Sequence, residues 1–265
     1  MASNFPRLRR RRRGAAALAG TALGLLLLAA LATPGRSAPG PRIPVLIVGG
    51  SAAAGWRDAA GHGYVRRGLG QYARRAGLRL TITNRAIPGA RVVSGRTRRH
   101  LAGWIRQLGR HALAVLAWGT LNDLAHHTPR TAMGEALARQ IRTALAARAV
   151  VLVVTPAVTR ASYREDRTRE PAAVRQEIQV ARRFPPSDVY VANVFSAMKQ
   201  YLRAHHLAYG GLMAGHWHPN AAGHRLAAAL LADALGRLWA PPAGIPTALR
   251  PPPPRPTGRA ADLIG

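Results

Sequence analysis

The sequence contains no cysteine, which excludes disulfides and any metal site built on thiolates. Acidic residues are scarce: ten Asp and Glu stand against 39 Lys and Arg, for a formal net charge of +29. Lysine is almost absent as well, Lys199 being the only one. Aromatic residues make up 5% of the chain. A nucleic-acid surface usually gathers its basic residues on one face and interleaves them with aromatics. Here six arginines lie in the first 13 residues and the rest are scattered along predicted helices, so nucleic acid is disfavoured as a partner. Two readings of the charge are left: solvated helix faces, or attraction to an anionic envelope polymer. Long apolar runs are missing too, with one exception near the start.

That exception is Gly14 to Ala32, 19 residues without a charge, preceded by Arg7 and Arg9 to Arg13. A basic start, an apolar run and small residues at Ala30 and Ala32 form the pattern of a cleavable export signal. The run also approaches bilayer thickness, so an uncleaved membrane anchor is the alternative, and the membrane is met only through this segment. Alanine and glycine make the run only mildly hydrophobic, which favours cleavage. Either arrangement predicts a secreted or extracytoplasmic protein. Thr33 to Arg42 is rich in Pro, Gly and Ser and reads as a linker, while Ala240 onward is Pro-rich and reads as a disordered tail.

Between them the chain alternates. The strands expected are Val45–Val48, Leu78–Thr83, Ala112–Trp118, Val150–Val154 and Val189–Val194. Helical periodicity covers Gly63–Ala76, Arg91–Leu108, Pro129–Arg148, Pro171–Arg183, Phe195–His205 and Asn220–Trp239. Strands alternating with helices predict an α/β domain over residues 43–239, with a five-stranded parallel sheet. Its site should be built from loops at the carboxyl ends of the strands.

Those loops carry polar groups that packing does not require. Val45–Val48 ends in two glycines and then Ser51, on a tight turn between a buried strand and three alanines that can open a helix. Ser51 could simply cap that helix. Gly89 lies in the loop after the second strand, Asn122 follows the third, and His218 stands just before the last helix. Acyl transfer needs a nucleophile, a base within hydrogen-bond reach and donors aimed at an oxyanion. Ser51 and His218 fit the first two roles; the Ser51 and Gly89 amides and the Asn122 side chain fit the third. Trp217 is a candidate pocket-lining residue, and Trp118 a core residue. His216, His218 and His224 invite a metal reading, but no cysteine or nearby carboxylate completes a ligand set. Gly50 to Gly55 has the glycine spacing of a phosphate loop, yet Trp56-Arg57 replaces its Lys-Ser/Thr.

With those motifs in order, Gly-Gly-Ser51, Asn-Arg-Ala-Ile-Pro-Gly89, Gly-Thr-Leu-Asn122-Asp and His218-Pro-Asn-Ala-Ala-Gly, the sequence resembles the SGNH (GDSL-like) hydrolases. The resemblance spans about residues 43–239. It implies a three-layer α/β/α sandwich of flavodoxin-like type and a carboxylic-ester hydrolase with no metal or organic cofactor. Acylated carbohydrate is one substrate class it suggests. Gly50 stands where the family usually has Asp, and one extra residue separates Gly119 from Asn122. The triad aspartate, usually three residues before the histidine, is replaced by Gly215. A backbone carbonyl at His218 Nδ1 would leave a Ser-His dyad; Asp58 or Asp123 are the carboxylates that could substitute, although Asp123 also suits bracing its own loop or lining the site. The alternative is a weak or inactive relative that binds an envelope polymer through its basic surface.

Overall fold

The computed structural model describes residues 42–109, 111–239 and 249. The segment expected to direct export, and most of the expected linker and tail, lie outside the described residues. Among the described residues no helix is long and apolar enough to cross a membrane.

Five parallel strands form one sheet: β1 (Arg42–Gly49), β2 (Arg79–Asn84), β3 (Leu113–Ala117), β4 (Val150–Val154) and β5 (Val189–Ala192). Their spatial order is β2-β1-β3-β4-β5, the flavodoxin-like arrangement. β1, β3 and β4 are continuous apolar runs because helices cover both faces of the sheet. Successive side chains take opposite faces: Val45 and Ile47 enter one core and Leu46 and Val48 the other. β2 is an edge strand, and its alternation of apolar and polar residues matches its half-exposed position.

The first core is covered by α1 (Ser51–Ala54), α2 (Gly63–Arg75), α7 (Val194–Ala204) and α8 (Ala221–Leu238); the second by α3 (Gly95–Leu108), α5 (Arg130–Ala146) and α6 (Arg169–Ala181), with the short α4 (Thr120–Ala125) after β3. Helix α2 lies close against α8 because Gly68 has no side chain: a Cβ there would sit 2.9 Å from the Ala228 carbonyl oxygen and 2.8 Å from Leu231 Cδ2.

Several boundaries differ from expectation: β1 begins at Arg42, the last residue of the expected linker, and β5 ends at Ala192 rather than Val194 because Asn193 already caps α7. Three further differences have local reasons. Helix α3 starts at Gly95 rather than Arg91. The Arg91 and Val92 amides are captured by Ser94 Oγ (2.8 Å) and Asp123 Oδ2 (2.9 Å), which holds the chain in a turn. Helix α6 begins at Arg169, ahead of Pro171, since first-turn amides have no intrahelical partner to lose. Leu249, placed by its sequence in a disordered tail, is 4% exposed and packs into the first core. An isolated apolar residue in a proline-rich stretch is enough to tie down one point of chain when a core face is open to it.

Candidate active site

The order of the sheet reverses between β1 and β3, and a crevice opens at the carboxyl ends of strands at such a point. Ser51 follows β1 and Asn122 follows β3, so both stand at that crevice. The β1 turn is built on close approach. A Cβ at Gly49 would fall inside the van der Waals shell of the Ala117 carbonyl on β3. Gly50 is the N-cap of α1, so Ser51 is its first helical residue and its hydroxyl caps nothing. That hydroxyl meets His218 Nε2 at 2.8 Å instead.

The loop after β2 returns to the same place. Asn84 is anchored by its side chain, which donates to the Ala53 carbonyl at 2.9 Å and accepts from the Ala86 amide at 3.0 Å. The Ile87 amide donates to the Gly49 carbonyl at 3.0 Å. Gly89 then turns the chain at φ +76, a conformation that disfavours any side chain. Asn122 Nδ2 donates to the carbonyl of neighbouring Ala90 at 3.1 Å, which ties the β2 and β3 loops together and leaves the second amide hydrogen free.

His218 comes from a hairpin pinned at both ends. Met213 and Pro219 form an antiparallel bridge, and the Ala214 amide donates to the His218 carbonyl at 2.9 Å. Asn220 caps α8 by accepting from the Gly223 amide at 3.0 Å, and its Nδ2 donates back to Gly211 at 2.9 Å. Gly215 sits in the turn at φ +102 with open space where its Cβ would be.

Among the described residues no carboxylate pairs with the His218 ring. Asp58 is taken by Arg67, at 2.7 and 2.9 Å, and by the Gly63 amide at 3.1 Å. The Arg67 hydrogen bond, against the opposing effect of burial, brings its pKa down to about 2. Asp123 is fully buried and accepts from the Val92 amide, so it braces the β2 and β3 loops and does not line the cleft. Burial, with Arg57 and His224 nearby, pulls the His218 pKa below its ordinary value. The imidazole is therefore neutral at neutral pH, the form that can accept a proton.

A cleft of about 30 Å³ is lined by Ser51, Asn122, Trp217 and His218. Trp118, by contrast, is in the core with its Nε1 donating to Gln140 at 2.9 Å. The three clustered histidines turn to different partners: His216 to Glu165 (2.7 Å), His218 to Ser51, and His224 to the Trp56 carbonyl (2.9 Å). They do not converge on a common point.

The profile of the GDSL-like Lipase/Acylhydrolase family matches residues 47–226, most of the described chain. The chain belongs to that family. Membership supports carboxylic-ester hydrolysis as its general chemistry. No curated relative matches it. Solved structures of similar fold include an acetylxylan esterase from Geobacillus stearothermophilus, with 19% identity, 76% of this chain and 95% of that one covered, and a TM-score of 0.57. A lipase/acylhydrolase from Enterococcus faecalis has 20% identity over 74% and 96% of the two chains, with a TM-score of 0.53. A lipolytic G-D-S-L family protein from Veillonella parvula has 16% identity over 74% and 97%, with a TM-score of 0.54.

Sequence reasoning missed several neighbours of the site. Trp56 is 48% exposed with its ring centroid 6.4 Å from that of His218, and Arg57 lies over the Trp56 ring. Pro156, Ala157 and Thr159, from the loop after β4, line the cleft. So does Glu170, a fully buried carboxyl. Its sequence context, a charged loop, gives no hint of burial.

Proposed function

We propose that the protein is an exported serine esterase in which Ser51 attacks an ester carbonyl and His218 takes its proton and returns it to the leaving alcohol. The Ser51 and Gly89 amides and the free hydrogen of Asn122 Nδ2 stabilise the oxyanion. The observation that carries this reading is the 2.8 Å contact between Ser51 Oγ and His218 Nε2, within the range for a nucleophile and its general base. No metal or organic cofactor enters the reaction. With Gly215 in the usual place of the acid, the pair works as a dyad, and His218 keeps its position through its hairpin rather than through an Asp partner.

An acylated carbohydrate suits the alcohol side of the site. Trp56 and Trp217 are 48% and 39% exposed beside His218, and aromatic faces of this kind pack on sugar rings. The acetylxylan esterase of similar fold is in keeping with that choice. The test is labelling of the full chain by a fluorophosphonate, with Ser51→Ala as control, alongside hydrolysis of p-nitrophenyl acetate. Absence of both label and turnover sinks the proposal.

A second reading has one specific observation in its favour. Asp58, Asp123, Asp166, Glu170 and Glu177, half of the ten acidic residues, are buried, so the surface is more basic than the composition suggests. A chain without esterase activity that binds an anionic envelope polymer in a salt-sensitive manner would favour this binding-module reading.

A further inference from the structure

The cleft at Ser51 is small, about 30 Å³, with room for roughly two water molecules or a methyl group. Its walls beyond the proposed catalytic residues are mainly apolar: Ala52, Leu121, Pro156 and Ala157. Thr159 and Glu170 are the polar wall residues, and Thr159 is paired with Ser162 through its amide (2.8 Å) and its hydroxyl (3.2 Å). Glu170 is fully buried, and Oε1 accepts a long 3.4 Å hydrogen bond from Thr120 Oγ1. Oε2 has no partner within hydrogen-bond distance, although the Ser162 hydroxyl and Lys199 lie near enough to favour the charged carboxylate. An apolar side chain in this position would avoid the penalty of an unpaired buried oxygen, so stability does not account for the residue. Nor does it touch Ser51 or His218 through a hydrogen bond, so proton transfer does not account for it either.

We propose that Glu170 is a specificity-determining residue that closes the acyl pocket, admitting an acetyl-sized group and turning longer alkyl chains away. The inference rests on Ser51 being the nucleophile. An acyl carbon bonded to Ser51 Oγ, with its oxygen toward Asn122, directs its substituent into the recess that both residues line. A methyl group fills that recess. Each further methylene lacks room and would press hydrocarbon against a carboxyl oxygen that it cannot hydrogen-bond. A single methylene in a fitted pocket is worth about tenfold or more in kcat/KM.

The experiment compares kcat/KM of the full chain for p-nitrophenyl acetate, butyrate and octanoate. The wild type is expected to prefer acetate over butyrate by about tenfold or more. Glu170→Ala opens the floor and should reduce that preference at least about fivefold, chiefly by raising the butyrate value. Glu170→Gln keeps both size and polarity and should retain it. Should the alanine variant fail to fold, Glu170→Val, smaller and apolar, carries the same expectation of a butyrate gain. An active wild type that prefers octanoate, or a folded Ala or Val variant with an unchanged acetate-to-butyrate ratio, overturns the inference alone. A wild type that takes no fluorophosphonate and cleaves none of the esters overturns the serine-hydrolase reading and this inference with it.

Discussion

Ser51 is delivered by β1, whose residues Val45 to Val48 are completely buried, through a turn that packs backbone to backbone against β3. Asn122 and the β2 loop are tied to the same frame by Asp123, Asn84 and the Ala90 carbonyl. His218 depends on a surface hairpin instead. Its neighbour His216 and that residue's partner Glu165 have side chains 56% and 44% exposed. The carboxylates are distributed in the opposite sense. Asp123, Glu170 and Glu177 are buried on the α4 to α6 side, while the histidine ring has none. The proposed nucleophile and oxyanion donors are thus fixed by the sheet, whereas the proposed base is held by local loop chemistry, and no carboxylate among the described residues supports its protonated form.

Variants can break or sharpen that contrast. The largest effects belong to the proposed catalytic pair: Ser51→Ala and His218→Ala should each lower kcat on p-nitrophenyl acetate by about 10⁴-fold or more. Residual activity within tenfold of wild type would show that the 2.8 Å contact is incidental. Asn122→Ala should cost about 10²- to 10³-fold in kcat, the range for loss of one oxyanion donor. A change confined to KM would place the side chain outside the oxyanion site.

The buried acids on the nucleophile side should be visible in stability. Burial, reinforced by Asp166, raises the Glu170 pKa from 4.5 to about 7, despite the opposing effects of the Ser162 and Thr120 hydroxyls and Lys199. Its charge in turn helps raise that of buried Glu177. As pH rises through this window the unfolded chain loses its proton first and binds fewer protons than the folded one. Stability therefore falls between about pH 4.5 and 7, by roughly 3 kcal/mol from this group. Urea unfolding of Glu170→Gln across that window should show a flatter pH profile; superimposable profiles would mean that the carboxyl is not held neutral.

On the base side, Gly215→Asp would offer a carboxylate where the family usually has one. The φ of +102 at this position makes the substitution strained, at about 1–3 kcal/mol, so a lower Tm is expected. Activity should hold or rise if the new carboxylate reaches His218, and a collapse would show that strain in the hairpin governs the site. The smallest effect concerns pH. Because burial lowers the His218 pKa below 6.5, the acid limb of kcat/KM in the wild type should lie below pH 6.5. In Gly215→Asp the limb should move upward, since a nearby negative charge favours the imidazolium. An unmoved limb would mean that the carboxylate does not reach the ring.

Much of this was legible because buried parallel strands are unbroken apolar runs with glycine at their ends. Val150 to Val154 matches its strand to the residue, and Ser51, Gly89, Asn122 and His218 stand out as polar groups at strand ends that packing does not need. The start of α3 was not legible, because the amides that would have opened it are captured by Ser94 and by Asp123, the latter 31 residues away in sequence from Val92. Glu170 was hidden for a similar reason: a carboxyl in a charged loop looks solvated until α6 packs beside α4.

The sequence by itself determined the alternation of strands and helices and the identity of the proposed nucleophile, base and oxyanion donors. Burial periodicity and strand-end chemistry are local properties of the chain. The tertiary structure alone decided what surrounds them. It brought Ser51 and His218 to 2.8 Å across 167 residues, gave Asp58 to Arg67 rather than to the histidine, and placed Glu170 beneath the cleft. Those outcomes depend on which distant groups compete for the same partner in three dimensions, and a linear pattern does not record that competition.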